Sequence, residues 1–263
     1  MSIETAVHMD TDIGEGFGVW GRTDDGPLLD TVSAANIACG FHAGDPDILR
    51  ETTAMAAARG VSIGAQVSYN DLAGFGRRFI DVEVSRLVND IVYQIGALQA
   101  FARIAGSEVA YVKAHGALYN VAADHVGHAR AIVDAVKLVD PTLPILCQFD
   151  TEVWSMAAGA GIPTIAEVFV DRNYTSSARL VSRRHPAALI TDAEAAADRA
   201  LTMVHTGAVE SVDGVVVRVL PASYDAVALC VHSDTAGAVE IATHTRKALA
   251  NDGFDLTPIG RRA

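Results

Sequence analysis

Acidic, imidazole and ammonium side chains recur in this 263-residue chain directly after short apolar runs. The first such run closes with Asp12 and Glu15, the second with His42, and a later one with Lys113 and His115. Carboxylates and imidazoles transfer protons or bind divalent metal ions, and an ammonium group stabilises negative charge as it develops. Because burying so many of these groups without partners would cost several kcal/mol each, the pattern predicts that they line one shared polar site.

The apolar runs alternate with segments of helical periodicity, which predicts strands and helices in turn. The clearest helix is predicted from Val82 to Ala105, with Asp81 as its N-cap and Gly106 as its C-terminal stop. Further helices are predicted at about 46–60, 124–139, 151–159, 192–206 and 235–250. The runs predicted as strands read IETAVHMD, VSAANIAC, VSIGAQV, VAYVKAHG, PILCQFD, PTIAEVFV, VVVRVL and AVALCVH.

Strands that alternate with helices favour a parallel sheet with right-handed crossovers, and seven or eight of them favour a closed or nearly closed β/α barrel. No linker rich in glycine, proline or serine interrupts the chain, so residues 1–263 are predicted to form a single α/β domain. In such a barrel the C-terminal ends of the strands meet at one rim. The polar residues that follow the strands are therefore expected to face a common ligand site.

The composition argues against several classes of partner. A formal net charge of −12 and a pI near 5.1 disfavour binding to nucleic acid or to anionic membranes. No apolar run approaches the roughly 20 residues that span a bilayer, and the N-terminus MSIETAVHMD does not read as a secretory signal. Cys39, Cys147 and Cys230 stand in apolar contexts without metal-binding spacing, which predicts reduced core residues of a cytoplasmic protein.

The segment NIACGFHAGDP places His42 and Asp45 among glycines at the end of an apolar run. Asp45 precedes Pro46, so it is predicted to cap the following helix, and Asp234 is suited to the same role. His42 is predicted to face the ligand, because its flanking glycines allow a close approach. The nearby GEGFG string lacks the full GxGxxG spacing, and the chain contains neither GxxxxGKS nor GxxxxGKT. Any nucleotide site must therefore differ from a P-loop.

Several long strings resemble the LamB/YcsF family, and the resemblance covers nearly the whole chain. They are DTDIGEGFG, SAANIACGFHAGDP, SYNDLAGFGRR, YQIGAL, VKAHGALYN, EVFVDRNY, RLVSR and CVHSD. The resemblance implies a seven-stranded β/α barrel of the glycoside hydrolase/deacetylase type. It also implies the A component of a hydrolase, 5-oxoprolinase, that works with partner subunits B and C. The implied reaction is the ATP-dependent opening of the lactam 5-oxo-L-proline to L-glutamate, with ATP acting through the complex.

Opening a lactam requires an activated water, stabilisation of the oxyanion and a proton for the leaving nitrogen. For this reaction the residues predicted to be catalytic are Asp12, His42, Lys113 and His115. Those predicted to bind the substrate are Glu15, Asn36, Gln66, Tyr69, Glu167, Arg172, His232 and Asp234. Arg172 is assigned to a substrate carboxylate, because a guanidinium fork matches that group. Deacetylases of this barrel type use a divalent metal, for which Asp12, His42 and His115 are the candidate ligands.

The chain departs from the family pattern at several polar positions. His8 and Asp10 replace the usual aspartate and asparagine of the first strand, and Gln66 replaces a histidine. An amide does not titrate and is a poorer metal ligand than an imidazole. One hypothesis is that His8 compensates for the imidazole missing at position 66. Two alternative functions stay open: a stand-alone metal-dependent amidase or deacetylase acting on another lactam or amide, and a ligand-binding paralogue without catalysis.

Overall fold

The structure, a computed structural model, describes residues 5–21 and 25–260. Within these residues, seven parallel strands close into a barrel. They are β1 (Ala6–Ile13), β2 (Ala34–Ala38), β3 (Ser62–Val67), β4 (Val109–Ala114), β5 (Ile145–Cys147), β6 (Thr164–Phe169) and, later in the chain, β9 (Ala226–Val231). Because β1 pairs with both β2 and β9, the sheet has no free edge. The predicted seven-stranded β/α barrel is confirmed.

Helices connect the strands and cover the outer face of the barrel. They are α1 (Asp25–Leu29), α2 (Pro46–Ala58), α3 (Val84–Ile104), α4 (Gly116–Ala122), α5 (Val126–Val139), α6 (Glu152–Ala160), α7 (Ala193–Thr206) and α8 (Ala238–Asn251). The apolar face of α3, which includes Leu87, Ile91 and Ile95, is buried in the same core as Ile63 of β3 and Val109 of β4. Amphipathic helices packed on an apolar sheet thus hold the strands in place.

The lower half of the barrel interior is filled by side chains. Tyr111 of β4 is fully buried there with Ala34, Leu146 and Ala228. A Cβ at Gly64 would lie 2.1 Å from the Tyr111 ring, so only glycine allows that ring to occupy the interior. The Tyr111 hydroxyl donates to Asn36 Oδ1 at 2.7 Å. This layer forms a packed support for the polar residues above it.

The helix starts agree only in part with the sequence predictions. Asp45 caps α2 as predicted, because its Oδ1 accepts the backbone N–H groups of Asp47 and Ile48. The prediction that Asp81 caps the long helix was wrong. The chain is still extended at Glu83 (φ −57°, ψ 139°), so α3 begins only at Val84, without a side-chain cap. Asp234 does not cap α8 either, because that helix begins at Ala238 after Gly237.

The run VVVRVL was wrongly predicted as one of the barrel strands. Val216–Arg218 form β8, which pairs antiparallel with β7 (Ala208–Glu210) outside the barrel. Val217 is buried, whereas Val216 and Arg218 on either side are exposed. A two-stranded hairpin buries only one face, while a parallel barrel strand must bury both. Only seven of the eight predicted strands therefore belong to the barrel.

Two further features concern the described residues as a whole. No helix among them combines the length and the apolar character that crossing a bilayer requires. Cys39, Cys147 and Cys230 are buried free thiols, as the sequence predicted.

Candidate active site

A cavity of about 780 Å³ opens at the C-terminal ends of the barrel strands. Asp12 lies near the end of β1 and Lys113 near the end of β4, while His115 and His232 directly follow β4 and β9. All four side chains line the cavity, although they come from distant parts of the sequence. The fold therefore gathers a carboxylate, an ammonium group and two imidazoles at one rim of the barrel.

Lys113 is buried at the floor of the cavity among three carboxylates. Its Nζ lies 2.8 Å from Glu167 Oε1, 3.0 Å from Asp12 Oδ1 and 3.4 Å from Asp10 Oδ2. Asn36 holds two of these groups, because its Nδ2 donates to Asp10 Oδ2 at 2.7 Å and to Asp12 Oδ1 at 2.9 Å. Asn36 and Glu167, predicted to bind the substrate, thus lie beneath the cavity lining and support it.

The protonation states of this cluster follow from burial and neighbouring charges. Burial alone would raise the pKa of Asp12, but the charge of the buried Lys113 beside it holds that pKa well below its usual value. Burial raises the pKa of Glu167 to about 8, despite the nearby ammonium group. Burial would lower the pKa of Lys113, but the surrounding acidic groups outweigh it and raise that pKa. At pH 7 a charged Lys113 therefore faces an ionised Asp12 and a neutral Glu167.

The neutral Glu167 predicts how stability depends on pH. The folded chain keeps a proton on this carboxyl up to about pH 8, whereas the unfolded chain loses it near the ordinary pKa of 4.5. The native state therefore binds more protons than the unfolded state in this window, so Glu167 lowers the free energy of unfolding as pH rises. We therefore expect the free energy of unfolding of Glu167→Gln, whose side chain cannot titrate, to fall less with rising pH than that of the wild type. Urea unfolding between about pH 5 and 9 measures this difference.

Glu240→Gln provides a matched control, because Glu240 is exposed on α8. That variant should keep the wild-type pH dependence. Identical pH dependence in all three proteins would contradict the raised pKa of Glu167.

His42 and His115 form a stacked pair beside Asp12, with ring centroids 3.8 Å apart and planes inclined by 7°. Glu15 Oε1 lies 3.3 Å from both His42 Nε2 and His115 Nδ1. Gln66 Nε2 donates to His115 Nδ1 at 2.9 Å, and His115 Nε2 lies 3.1 Å from the carbonyl oxygen of Phe75. With the Gln66 amide in this orientation, His115 Nδ1 is the acceptor and its proton lies on Nε2, which donates to Phe75 O. Burial, followed by the neighbouring His42, holds the pKa of His115 well below its usual value, so this imidazole is neutral.

His232 is oriented by a carboxylate that was not among the residues predicted to be catalytic or substrate-binding. Asp171 follows β6, and its Oδ1 lies 3.0 Å from His232 Nδ1. Thr235 Oγ1 donates to the other oxygen of Asp171 at 2.5 Å. The Phe169 ring stacks on His232 at 5.2 Å. With Nδ1 engaged by Asp171, His232 has its Nε2 left for a ligand, which is the arrangement of an oriented general base.

Six of the eight residues predicted to bind the substrate do not line the cavity, because only Arg172 and His232 do so. His42, predicted to be catalytic and to face the ligand, is buried behind the lining as well. Besides the buried Glu15, Asn36, Gln66 and Glu167, the six include Tyr69 and Asp234. The Tyr69 hydroxyl lies 2.6 Å from His128 Nδ1 and is buried on the side of the barrel. Asp234 forms ion pairs with Arg77 and Arg183. Arg172 does line the cavity, but its Nη2 donates to Val181 O at 2.6 Å, which ties it to the loop after β6.

The hypothesis that His8 replaces the missing imidazole at position 66 was wrong. His8 Nδ1 lies 2.7 Å from the carbonyl oxygen of Thr257, below the site. In the barrel register Asp10 pairs with Ala34, whereas Gln66 pairs with Ala38, four residues further up the neighbouring strand. His8 lies two further residues below Asp10, so six residue steps separate it from the level of Gln66. At about 3.3 Å per residue, this is roughly 20 Å along the strand direction.

One group of residues has the donors and spacing of a divalent metal site. One ligand atom from each of Glu15, His42 and His115 lies within 4.8 Å of the others, and all three residues are buried. The carboxylate of this group is Glu15 and not the predicted Asp12, whose Oδ2 is 3.9 Å from His115 Nδ1. Gln66 Oε1 is buried without a hydrogen-bond partner beside the group. Rotating that amide would place its oxygen next to Glu15 and His115, where a cation bound between these groups would attract it.

A second group, Asp10, Glu167 and Cys230, has similar spacing. Lys113 Nζ already lies among these three side chains, 3.2 Å from Cys230 Sγ. A metal cation would have to displace that ammonium group, so this group fits a buried ion-pair network better than a metal site.

The fold and the site together define a class of protein: a closed parallel β/α barrel whose polar cleft, at the C-terminal ends of the strands, is built for acid–base chemistry. Residues 7–263 match the LamB/YcsF family, and the chain belongs to this family.

The similar proteins cover the chain almost completely. A Mycobacterium avium protein, named as the A subunit of 5-oxoprolinase, is 53% identical over 95% of this chain and 97% of its own length. A Streptomyces coelicolor protein of the same name is 49% identical over 95% of this chain and 98% of its own length. The crystal structure of a lactam utilization protein from Thermus thermophilus superimposes with a TM-score of 0.88 at 40% identity, covering 96% of this chain and 99% of that one.

Another solved structure shares only the fold. A putative cellobiose-phosphate cleavage protein from Enterococcus faecalis superimposes with a TM-score of 0.56 at 10% identity, over 97% of this chain and 98% of that one. At this identity the likeness extends to the barrel architecture and not to the chemistry.

Proposed function

We propose that this chain is the A component of an ATP-dependent 5-oxoprolinase, in which residues 1–263 act as one domain that hydrolyses 5-oxo-L-proline to L-glutamate. The observation that carries the proposal is the convergence of Asp12, Lys113, His115 and His232 on one cavity. Relatives about half identical over nearly the whole chain are named as this component of 5-oxoprolinase, which supports the lactam as substrate. Partner subunits B and C complete the proposed enzyme, and ATP acts through that complex.

The residues lining the cavity suit the proton transfers of lactam hydrolysis. His232 Nε2, oriented through Asp171, takes a proton from the attacking water and returns it to the ring nitrogen as the C–N bond breaks. The ionised Asp12 accepts a hydrogen bond from the same water. Lys113 lies 3.0 Å from Asp12 and places a buried positive charge near the oxyanion. Arg172 retains Nη1 for the substrate carboxylate, because Val181 O and Ala188 O engage its Nη2 and Nε.

Glu15, His42 and His115 would hold a divalent metal ion. When bound there, such an ion supplies Lewis-acid polarisation of a carbonyl oxygen. We expect the chain, after treatment with a chelator, to take up about one Zn²⁺ or Mn²⁺ per molecule in calorimetric titration and elemental analysis. Replacing His42 by alanine should remove most of this uptake, because the site loses one of its ligands.

His244→Ala is the matched control for that titration, since His244 is exposed on α8 and should not affect uptake. Absence of stoichiometric uptake by the wild-type chain, or equal uptake by His42→Ala, would contradict the metal site.

The metal-ligand group also favours a second candidate function, a stand-alone metal-dependent amidase. The two functions differ in what the isolated chain achieves. We expect the complex of the chain with both partner subunits to form glutamate from 5-oxoproline only when ATP is present, and the isolated chain to form none. Glutamate formation by the isolated metal-loaded chain without ATP would favour the amidase, and inactivity of the complete complex would contradict the proposal.

The proposed location is the cytoplasm. All three cysteines are buried as free thiols, which is typical of proteins in a reducing compartment.

A further inference from the structure

Arginine side chains surround the outer part of the cavity, although the chain as a whole carries a net charge of −12. Those that line it are Arg77, Arg78, Arg172, Arg179, Arg183 and Arg184. Among the described residues, the carboxylates that line the same cavity are Asp12 and Asp124. Positive side chains gathered in a cleft attract anions to it, even when the protein as a whole is negatively charged. The outer cavity is therefore suited to an anion.

Part of this positive charge is not neutralised by neighbouring acidic groups. Arg77 Nη2 lies 2.7 Å from Asp234 Oδ2, and Arg183 Nη1 lies 3.3 Å from Oδ1 of the same carboxylate. The single negative charge of Asp234 is thus shared by two positively charged guanidinium groups. Arg184 is exposed, and its guanidinium has no ion pair or hydrogen bond within residues 5–21 and 25–260. We refer to Arg77, Arg183 and Arg184 as the arginine cluster.

Two of the other arginines of the cavity mouth are already paired with carboxylates. Arg78 forms an ion pair with Asp71, and Arg179 Nη2 lies 2.8 Å from Asp124 Oδ1. The surplus charge therefore belongs to the arginine cluster and to Arg172, which donates to the carbonyl oxygens of Val181 and Ala188. The concentration of positive charge also affects Arg172. Burial, followed by the charge of Arg183, lowers the pKa of Arg172 to about 10.

We propose that the arginine cluster binds a phosphoryl group at the outer end of the active-site cavity. Guanidinium forks match the oxygens of a phosphate and donate several charge-assisted hydrogen bonds to it. The phosphoryl group has two sources in the proposed function: a lactam whose carbonyl oxygen has been phosphorylated, or the terminal phosphates of ATP. The identity of the source rests on that proposed function, whereas the binding of phosphate does not.

The backbone places this anion site beside the histidine pair. A Cβ at Gly76 would lie 2.9 Å from His42 Cβ and 3.0 Å from His115 Cδ2, so the chain just before Arg77 packs directly on both histidine side chains. The Arg77 guanidinium lies 4.9 Å from the centroid of the Phe75 ring, which itself contacts the edge of His115. A phosphate held by Arg77 therefore lies in the same cavity as Asp12 and His232, where hydrolysis is proposed.

The test uses the isolated full chain at low salt, with inorganic phosphate and ATP titrated separately by calorimetry. We expect saturable binding of phosphate at one site, weakened at least about tenfold in the double variant Arg183→Ala/Arg184→Ala. Arg50→Ala/Arg130→Ala is the matched control, because both residues are exposed on α2 and α5 outside the cavity, and it should bind as the wild type does. Arg184→Ala alone is expected to weaken binding without affecting folding, since its guanidinium supports no described neighbour.

The two probes distinguish the sources of the phosphoryl group. Binding of ATP more than about tenfold tighter than phosphate would support the nucleotide, and equal binding would support a phosphorylated substrate. No binding of either probe, or unchanged binding in both arginine variants, would overturn the proposal. Phosphate titration requires no turnover, so the two proposals are tested separately. Absence of phosphate binding would not contradict the hydrolysis of 5-oxoproline. Absence of that hydrolysis would not contradict the anion site.

Discussion

Replacing Lys113 by methionine is expected to lower the free energy of unfolding by about 3–5 kcal/mol. Methionine keeps the length of the side chain but leaves the ionised Asp12 buried without its main counter-charge. For a chain of this size the loss corresponds to a fall in melting temperature of about 10 °C, which calorimetry measures. Turnover by the complex should also fall at least about 100-fold, because the charge that stabilises the oxyanion is gone.

Lys247→Met is the matched control, since Lys247 lies exposed on α8, and its melting temperature should remain within about 1 °C of the wild type. A Lys113→Met protein as stable as the wild type would mean that Lys113 does not balance a buried carboxylate.

Replacing His232 by asparagine is expected to lower kcat of the reconstituted complex by about 10³-fold with little change in KM. Asparagine preserves a hydrogen-bonding group next to Asp171 but cannot take up and return a proton. Asp171→Asn should lower kcat by at least about 100-fold while His232 remains in place, because the carboxylate that orients the ring is lost. Steady-state measurements of glutamate formation at several pH values would separate these effects from simple misfolding.

The control for this pair is His205→Asn, at a surface histidine that pairs with Asp252 far from the cavity. Its kinetics should match those of the wild type. If His232→Asn retained wild-type kcat and its pH profile, His232 would have no role in proton transfer.

The barrel and the rim at which its polar residues meet could be predicted from sequence, because both follow from local patterns. Apolar runs alternating with helical periodicity indicate a parallel barrel, and the polar residues after those runs must then meet at one end. Asp12, Lys113, His115 and His232 were found in this way. The cap at Asp45 was predicted for an equally local reason, the proline that follows it.

Features that depend on tertiary packing could not be predicted in the same way. The run VVVRVL has the composition of a barrel strand, and only its pairing with β7 places it in a hairpin. The third member of the group around His42 and His115 is Glu15 and not Asp12, which depends on the turn at Gly14, where φ is +67°. Asp171, like the other polar residues of the site, is a carboxylate that follows a strand. Its contact with His232 joins residues that are distant in the sequence, so only the structure shows it.

The most direct test of the central claim is an experimental structure of the His232→Asn chain with 5-oxoproline bound. We expect the lactam in the cavity, with its carbonyl carbon within about 4 Å of Asp12 or of one water bound to it, and its carboxylate on Arg172. A lactam bound outside this cavity, or bound there with its ring nitrogen and carbonyl facing away from Asp12 and residue 232, would contradict the assignment of hydrolysis to this site.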